Sequence, residues 1–206
     1  MAEAKELYKF IQLVQQMKVE KRDVFMPDKS PESVADHTAS AAILAWTLLS
    51  YSDRNLDKYK VLMMVLFHDL PEAITGDYNC YDVSTGKLSA DEKMQGEQVA
   101  VAQFATLLPT PSRKEFLEIF AEYEAQSSVE SRFAKAIDRI ETMIQWSVMD
   151  VRFYHDDFDY MGTYGNDLVR EFPELYTVWA EMKSNLKKKF AEKGAVWKPE
   201  YEVKEI

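Results

Sequence analysis

The chain has 206 residues, 47% of them hydrophobic and 13% aromatic, which suits one domain with a sizeable core and excludes a disordered chain. Its 25 Lys plus Arg against 35 Asp plus Glu give a formal charge of −10, which argues against a broad nucleic-acid or anionic-membrane surface. A single cysteine, Cys80, excludes an internal disulfide and a four-cysteine zinc site, and three histidines limit the metal chemistry tightly.

Leu7, Phe10, Ile11, Val14 and Met17 recur at helical spacing and predict an amphipathic helix over 5–17. Residues 18–32, KVEKRDVFMPDKSPE, break that pattern with Pro27 and Pro31 and read as a long ordered loop. Ser33 with Asp36 resembles a capping box and opens a second helix that continues to Leu49. Residues 58–70 are apolar on nearly every side, which predicts a central helix buried on most faces. Pro71 suits the first turn of a short helix that Gly76 ends, and 77–88 read as a loop. Ser89 with Glu92 forms a capping box, and further helices are expected over 90–108, 112–125, 129–150 and 166–192. Pro173 kinks or starts the last of these, whose stripe Leu175, Trp179, Met182, Leu186 and Phe190 is expected to cover the core.

No strand-like alternation, internal repeat or low-complexity linker stands out. The expectation is one all-α domain over 1–193, with its core in about 5–150, a packing helix over 166–192 and a tail over 194–206. The longest apolar run, Val61 to Phe67, falls far short of the roughly 18 residues of a membrane helix. MAEAKELYKF lacks the pattern of a secretory leader, so the expected compartment is the cytoplasm.

The segment HDLPEAITGD, residues 68–77, carries the most chemistry. His68 and Asp69 close an apolar helix, where ionisable groups are costly unless paired or bound to a metal. Imidazole with carboxylate suits Mn, Fe, Co, Ni or Zn better than Ca. The dipeptide alone decides nothing, because His155–Asp156 repeats it in a polar, aromatic loop where His155 is expected to be structural or surface-exposed. His37, in the first turn of the second helix, reads alone as a satisfied core histidine. Asp138, beside the stripe Phe133, Ile137, Ile140 and Ile144, reads alone as an acid paired to Arg132 or Arg139. The set of four is harder to dismiss than any member.

ESVADHTAS (Glu32 to Ser40), HDLPEAITGD and SRFAKAIDRIE (Ser131 to Glu141) resemble the successive signatures of the HD-domain metal-dependent phosphohydrolases, in particular their 5′-deoxynucleotidase-like branch. The resemblance implies a helical HD fold of six to eight helices around one metal site. It implies that His37, His68, Asp69 and Asp138 hold one divalent transition metal ion (Mn, Co, Fe, Ni or Zn) and that Glu72 is the general acid/base. It places Asp77 beside the sugar and the reacting phosphate, and Arg22, fifteen residues before His37, on the phosphate. The implied partners are a small phosphorylated substrate, a nucleoside 5′-monophosphate split to nucleoside and phosphate, and a second copy of the chain. With only His155 to spare, a second metal is not expected. Asp23 after Arg22, and Tyr78 and Asn79 after Asp77, depart from the branch near the implied sugar pocket, so deoxy against ribo substrates stays open. Tyr78 and Tyr81 offer base stacking or plain packing. Two other readings remain: a phosphohydrolase for another small phosphate ester, and a catalytically idle nucleotide-binding or scaffold HD domain.

Overall fold

The computed structural model describes residues 2–203. Its helices are α1 (Ala2–Val14), α2 (Val34–Leu48), α3 (Lys58–Phe67), α4 (Glu72–Thr75), α5 (Cys80–Ser84), α6 (Ala90–Leu107), α7 (Thr110–Ala125), α8 (Val129–Val148), α9 (Asn166–Glu171) and α10 (Tyr176–Glu192). Seven of these, among the described residues, are ten residues or longer. Side-chain chemistry sets their starts. Ser33 and Asp36 exchange hydrogen bonds with each other's amides at the head of α2, as Ser89 and Glu92 do for α6. Ser128 and Ser131 do the same for α8, a cap with no acidic residue to announce it. Gly76, at φ +81, ends α4 in a conformation that a side chain would strain.

The long helix α8 is the central post. Phe133, Ala134, Ala136, Ile137, Ile140 and Met143 are fully buried on it, and α2, α3 and α10 pack around it. A second apolar cluster, built on Phe104, Phe116, Phe120, Leu70 and Val34, joins α6 and α7 to the start of α2. The helical periodicity of 58–67 ends on His68, which caps α3 just as the chain turns into α4. Ionisable groups are thereby delivered to the junction of the two clusters.

Four stretches differ from the sequence expectation. The first helix stops at Val14, and a 3-10 turn from Gln15 to Lys18 buries Met17. The loop 18–32 contains an antiparallel hairpin, β1 (Lys21–Phe25) with β2 (Pro31–Ser33). Strands of five and three residues are too short to show alternation. Between the pairs Lys21–Ser33 and Phe25–Pro31, β1 carries more residues than β2, so the register slips. The segment 77–88 includes α5, whose start Asn79 caps by accepting from the Asp82 amide. The helix expected over 166–192 is broken at Phe172, held at φ −122 and ψ 74 ahead of Pro173, because proline disfavours helical backbone in the residue before it.

The stripe Leu175, Trp179, Met182, Leu186 and Phe190 is buried in the core, as are Phe158 and Met161 of the aromatic loop. Tyr201 and Val203 of the expected tail are buried too, Tyr201 lying flat on Gly162 where any Cβ would collide with its ring. Residues 204–206 of that tail lie outside the described residues.

Because Ile137 has no exposed surface at the centre of α8, Ile137→Ala is expected to cost about 2–5 kcal/mol of unfolding free energy. Urea denaturation measures it, and a loss below about 1 kcal/mol would mean that α8 is not the packing centre.

Candidate metal centre and cleft

Three packed helices bring four donors to one point. His37 comes from the first turn of α2, His68 and Asp69 from the end of α3, and Asp138 from the middle of α8. His37 Nε2 lies 3.3 Å from His68 Nε2, 3.5 Å from Asp69 Oδ2 and 3.4 Å from Asp138 Oδ1. His68 Nε2 lies 3.1 Å from Asp69 Oδ2 and 3.7 Å from Asp138 Oδ1. Bonds of about 2.0–2.2 Å to a central ion would set adjacent ligand atoms about 2.8–3.6 Å apart in octahedral or tetrahedral geometry. His37, His68 and Asp69 therefore fit a divalent ion of that size, and Asp138 faces both imidazoles.

The outer ring nitrogens strengthen the fit. His37 Nδ1 is 2.5 Å from Glu141 Oε2, and His68 Nδ1 is 2.7 Å from the Val65 carbonyl oxygen. Both partners are acceptors, so each ring carries its proton on Nδ1 and turns a bare Nε2 lone pair inward. Two lone pairs and two carboxylates then face one another and call for positive charge. The carboxylates' field shows the same demand. Burial opposes protonation of His68, yet Asp69 and Asp138 push it up to about 10. His37 is also raised: burial and Arg22 oppose it, but Asp138, Glu141 and Asp69 prevail. Asp69 and Asp138 are held well below the carboxylate range against their burial, Asp69 mainly by His68 and Asp138 mainly by Lys135.

A second group of possible ligands, Glu32, His37 and Glu141, adjoins the first. It would use His37 Nδ1, which already donates to Glu141, so the two groups cannot both ligate through a neutral ring with its proton there. Glu32 is buried and pushed up to about 7 by that burial and by Glu141, while Arg22 opposes the rise. Its place behind His37 is that of a support.

In front of the four donors opens a cleft of about 330 Å³. Arg22, on the irregular stretch of β1, donates from Nη1 to Asp69 Oδ2 at 3.3 Å and from Nη2 to Thr142 Oγ1 at 3.2 Å. Its Nε stands 3.3 Å from Glu32 Oε2, out of hydrogen-bond alignment. Glu72, at the start of α4, is 3% exposed, and its Oε2 has no hydrogen-bond partner. Burial first, then Asp69 and Asp77, raise it well above the usual range, with Lys93 and Arg22 opposing. Asp77 follows the turn at Gly76, its amide donating to Glu20 Oε1 at 3.2 Å. Burial raises it, and Arg22 partly offsets the rise. Arg22, His68, Asp69, Glu72, Asp77 and Asp138 all line this cleft, and His37 lies behind it.

Sequence reasoning missed Glu141, Lys93 and Lys135. Glu141 lies one turn after Asp138 on the buried side of α8, a spacing visible in SRFAKAIDRIE. Lys135 Nζ pairs with Asp138 Oδ2 at 3.0 Å, also within one turn. Lys93 reaches the cleft from α6 and pairs with Glu97 at 3.4 Å, a placement only the fold reveals. Tyr78 and Tyr81 both line the cleft, but the Tyr78 hydroxyl occupies a notch in α6 that exists because residue 96 is glycine. Tyr78 is therefore packing. His155, expected to be structural or at the surface, holds Asp23 on the cleft wall.

A model of the HD domain family matches residues 14–175. The 5′-deoxynucleotidase HDDC2 of Homo sapiens is 36% identical to the chain over 146 residues, 70% of this chain and 68% of that one. Its Mus musculus counterpart is 37% identical over 143 residues, 68% of each. Among solved structures, a predicted metal-dependent phosphohydrolase from Magnetospirillum magnetotacticum MS-1 has the same fold. Its TM-score is 0.71 at 21% identity, covering 95% of this chain and 100% of that one.

The convergence predicts one divalent ion per chain by elemental analysis, with occupancy largely lost in His37→Ala and Asp138→Ala. Glu141→Gln should keep the fold but weaken metal affinity by about 10–100-fold, as loss of a ligand's outer hydrogen bond does. Full metal content in Asp138→Ala would contradict the ligand set.

Proposed function

The chain belongs to the HD domain family, and we infer that it is a metal-dependent phosphohydrolase that splits nucleoside 5′-monophosphates, deoxy forms among them, into nucleoside and phosphate. The observation that carries this reading is Glu72: a buried acid, raised well above the usual carboxylate range by burial and by Asp69 and Asp77, beside the converging metal donors and Arg22.

His37, His68, Asp69 and Asp138 would hold the ion. When bound, it supplies Lewis acidity toward a phosphate oxygen and a water. The Arg22 guanidinium, fixed by Asp69 and Thr142, adds donors for the phosphate. Hydrolysis forms a bond from water oxygen to phosphorus and breaks the bond from phosphorus to the sugar oxygen. Glu72, in its protonated form, donates to the departing sugar oxygen and recovers a proton from the attacking water, so the reaction balances without a change in the enzyme. Asp77, beside it, is assigned to the sugar hydroxyls and the surrounding water. Burial keeps bulk water from the Glu72 proton.

The donor set of two imidazoles and two carboxylates supports Mn, Fe, Co, Ni or Zn as the ion. A cytoplasmic homodimer completes the reading. What supports the dimer is the outer face of α2, where Ile43 and Trp46, one turn apart, are 67% and 70% exposed. Among the described residues, no helix is long and apolar enough to cross a membrane.

Chelator-stripped protein should be inactive on nucleoside 5′-monophosphates and regain phosphate release with Mn or Co. Release only from other phosphate esters would move the substrate class, and no release from any ester with any divalent ion would leave an idle domain. Glu72→Gln should lower kcat by about 10²–10⁴-fold while keeping the metal. The active form of Glu72 is protonated, so wild-type kcat should fall as pH rises through its raised pKa. A pH–rate profile of Glu72→Gln should lack that alkaline limb; an unchanged limb would assign it to another group.

A further inference from the structure

We propose that Asp23, positioned by His155, accepts a hydrogen bond from a sugar hydroxyl of the substrate and so makes the enzyme a reader of that hydroxyl. The proposal rests on the nucleotidase reading above and adds a specificity residue to it.

Successive side chains of a regular strand point to opposite faces, so Arg22 and Asp23 would not share a cavity on an ideal β1. The slipped register between Lys21 and Phe25 turns both into the same cleft. Asp23 is then held from outside. His155 Nε2 lies 2.5 Å from Asp23 Oδ2, and the His155 ring stacks on Tyr81 with centroids 3.9 Å apart and planes 6° apart. Lys87 covers Tyr81, its Nζ 4.3 Å from the ring centroid. Two segments far from Asp23 in sequence, 81–87 and His155, therefore fix its carboxylate. The Asp23 backbone amide also faces the Asp77 carboxylate, which puts Asp23 beside the acid assigned to the sugar.

An ionised carboxylate can only accept hydrogen bonds. His155 occupies one oxygen of Asp23, and among the described residues no other side-chain or backbone donor bonds to the second. A phosphate would be repelled there, and its place is already given by Arg22 and the metal donors. Whatever meets Asp23 must donate a proton, and the donors of a nucleotide one ring removed from its phosphate are the sugar hydroxyls. A second metal site is the competing use of a His–Asp pair. It fails because, among the described residues, no third His, Cys, Asp or Glu completes a ligand group there.

The test compares ribo-, 2′-deoxy- and 2′,3′-dideoxynucleoside 5′-monophosphates of one base on metal-loaded enzyme. Wild type should favour the hydroxyl-bearing substrates over the dideoxy one by about tenfold or more in kcat/KM, as loss of a hydrogen bond to a charged group predicts. Asp23→Ala should lower that ratio severalfold, with the discrimination supplied by Asp77 left in place. His155→Phe, which keeps an aromatic ring on Tyr81, should lower the ratio part of the way, through KM rather than kcat. The same ratio in Asp23→Ala as in wild type would overturn the proposal, as would equal losses on all three substrates. If wild type releases phosphate from none of the three, the nucleotidase reading fails first and the proposal with it.

Discussion

Two histidine nitrogens 3.3 Å apart, each with its proton on the far side of the ring, repel one another unless positive charge lies between them. The centre of the molecule is built around that constraint. Glu141 and the Val65 carbonyl hold the Nδ1 protons outward, which forces the lone pairs inward. Asp69 and Asp138 then add negative charge to the same point. Such a cluster is tolerable in a protein interior only if its charge is compensated. Lys135 on Asp138 and Arg22 on Asp69 do part of this, and a divalent ion completes it. The apolar packing of α2 and α3 on α8 is what brings these donors within reach of one another.

The burial that makes the cluster costly also equips it for acid chemistry. Glu72 has no hydrogen-bond partner on Oε2 and lies close enough to Asp69 and Asp77 that a second or third negative charge is strongly disfavoured. An exposed glutamate at the start of a four-residue helix would be ionised at neutral pH and useless as a proton donor. Burial beside Asp69 and Asp77 instead favours its proton, as the proposed acid role requires. The −10 charge of the whole chain says little about this, because the decisive charges are local.

How much of this was legible in the sequence depends on the range of the interactions. Ser33 with Asp36 and Ser89 with Glu92 are local signals, and the helices start where they say. His68 and Asp69 stood out as ionisable groups ending an apolar run, and Asp138 as an acid beside a buried stripe. Their convergence with His37 was implied by resemblance, since nothing in the residues themselves measures distances across 31 or 69 positions. Glu141 was within reach: an acid three residues after Asp138, flanked by Ile140, belongs to the same buried face. The hairpin was not, because its strands are too short to alternate and its register slips. Nor was the pairing of Asp23 with His155, 132 positions apart, for which no local pattern exists.

The charge balance of the cleft joins these points. Seven acids line it (Asp23, Asp69, Glu72, Asp77, Glu97, Glu124 and Asp138) against four bases, Arg22, Lys93, Lys135 and Arg139. A phosphate dianion does not enter a cavity with three net negative charges. One divalent ion on the four donors and one proton on Glu72 bring that balance to zero. The proton is already favoured by burial, so the ion would supply the rest of the compensation that a phosphate needs. With the ion bound, the cleft would offer the cation and Arg22 to an anion, and the carboxylate of Asp23 beside them to a hydroxyl. A molecule carrying a phosphate ester a methylene away from a hydroxylated ring meets both demands together, whereas inorganic phosphate or an apolar ester meets only the first.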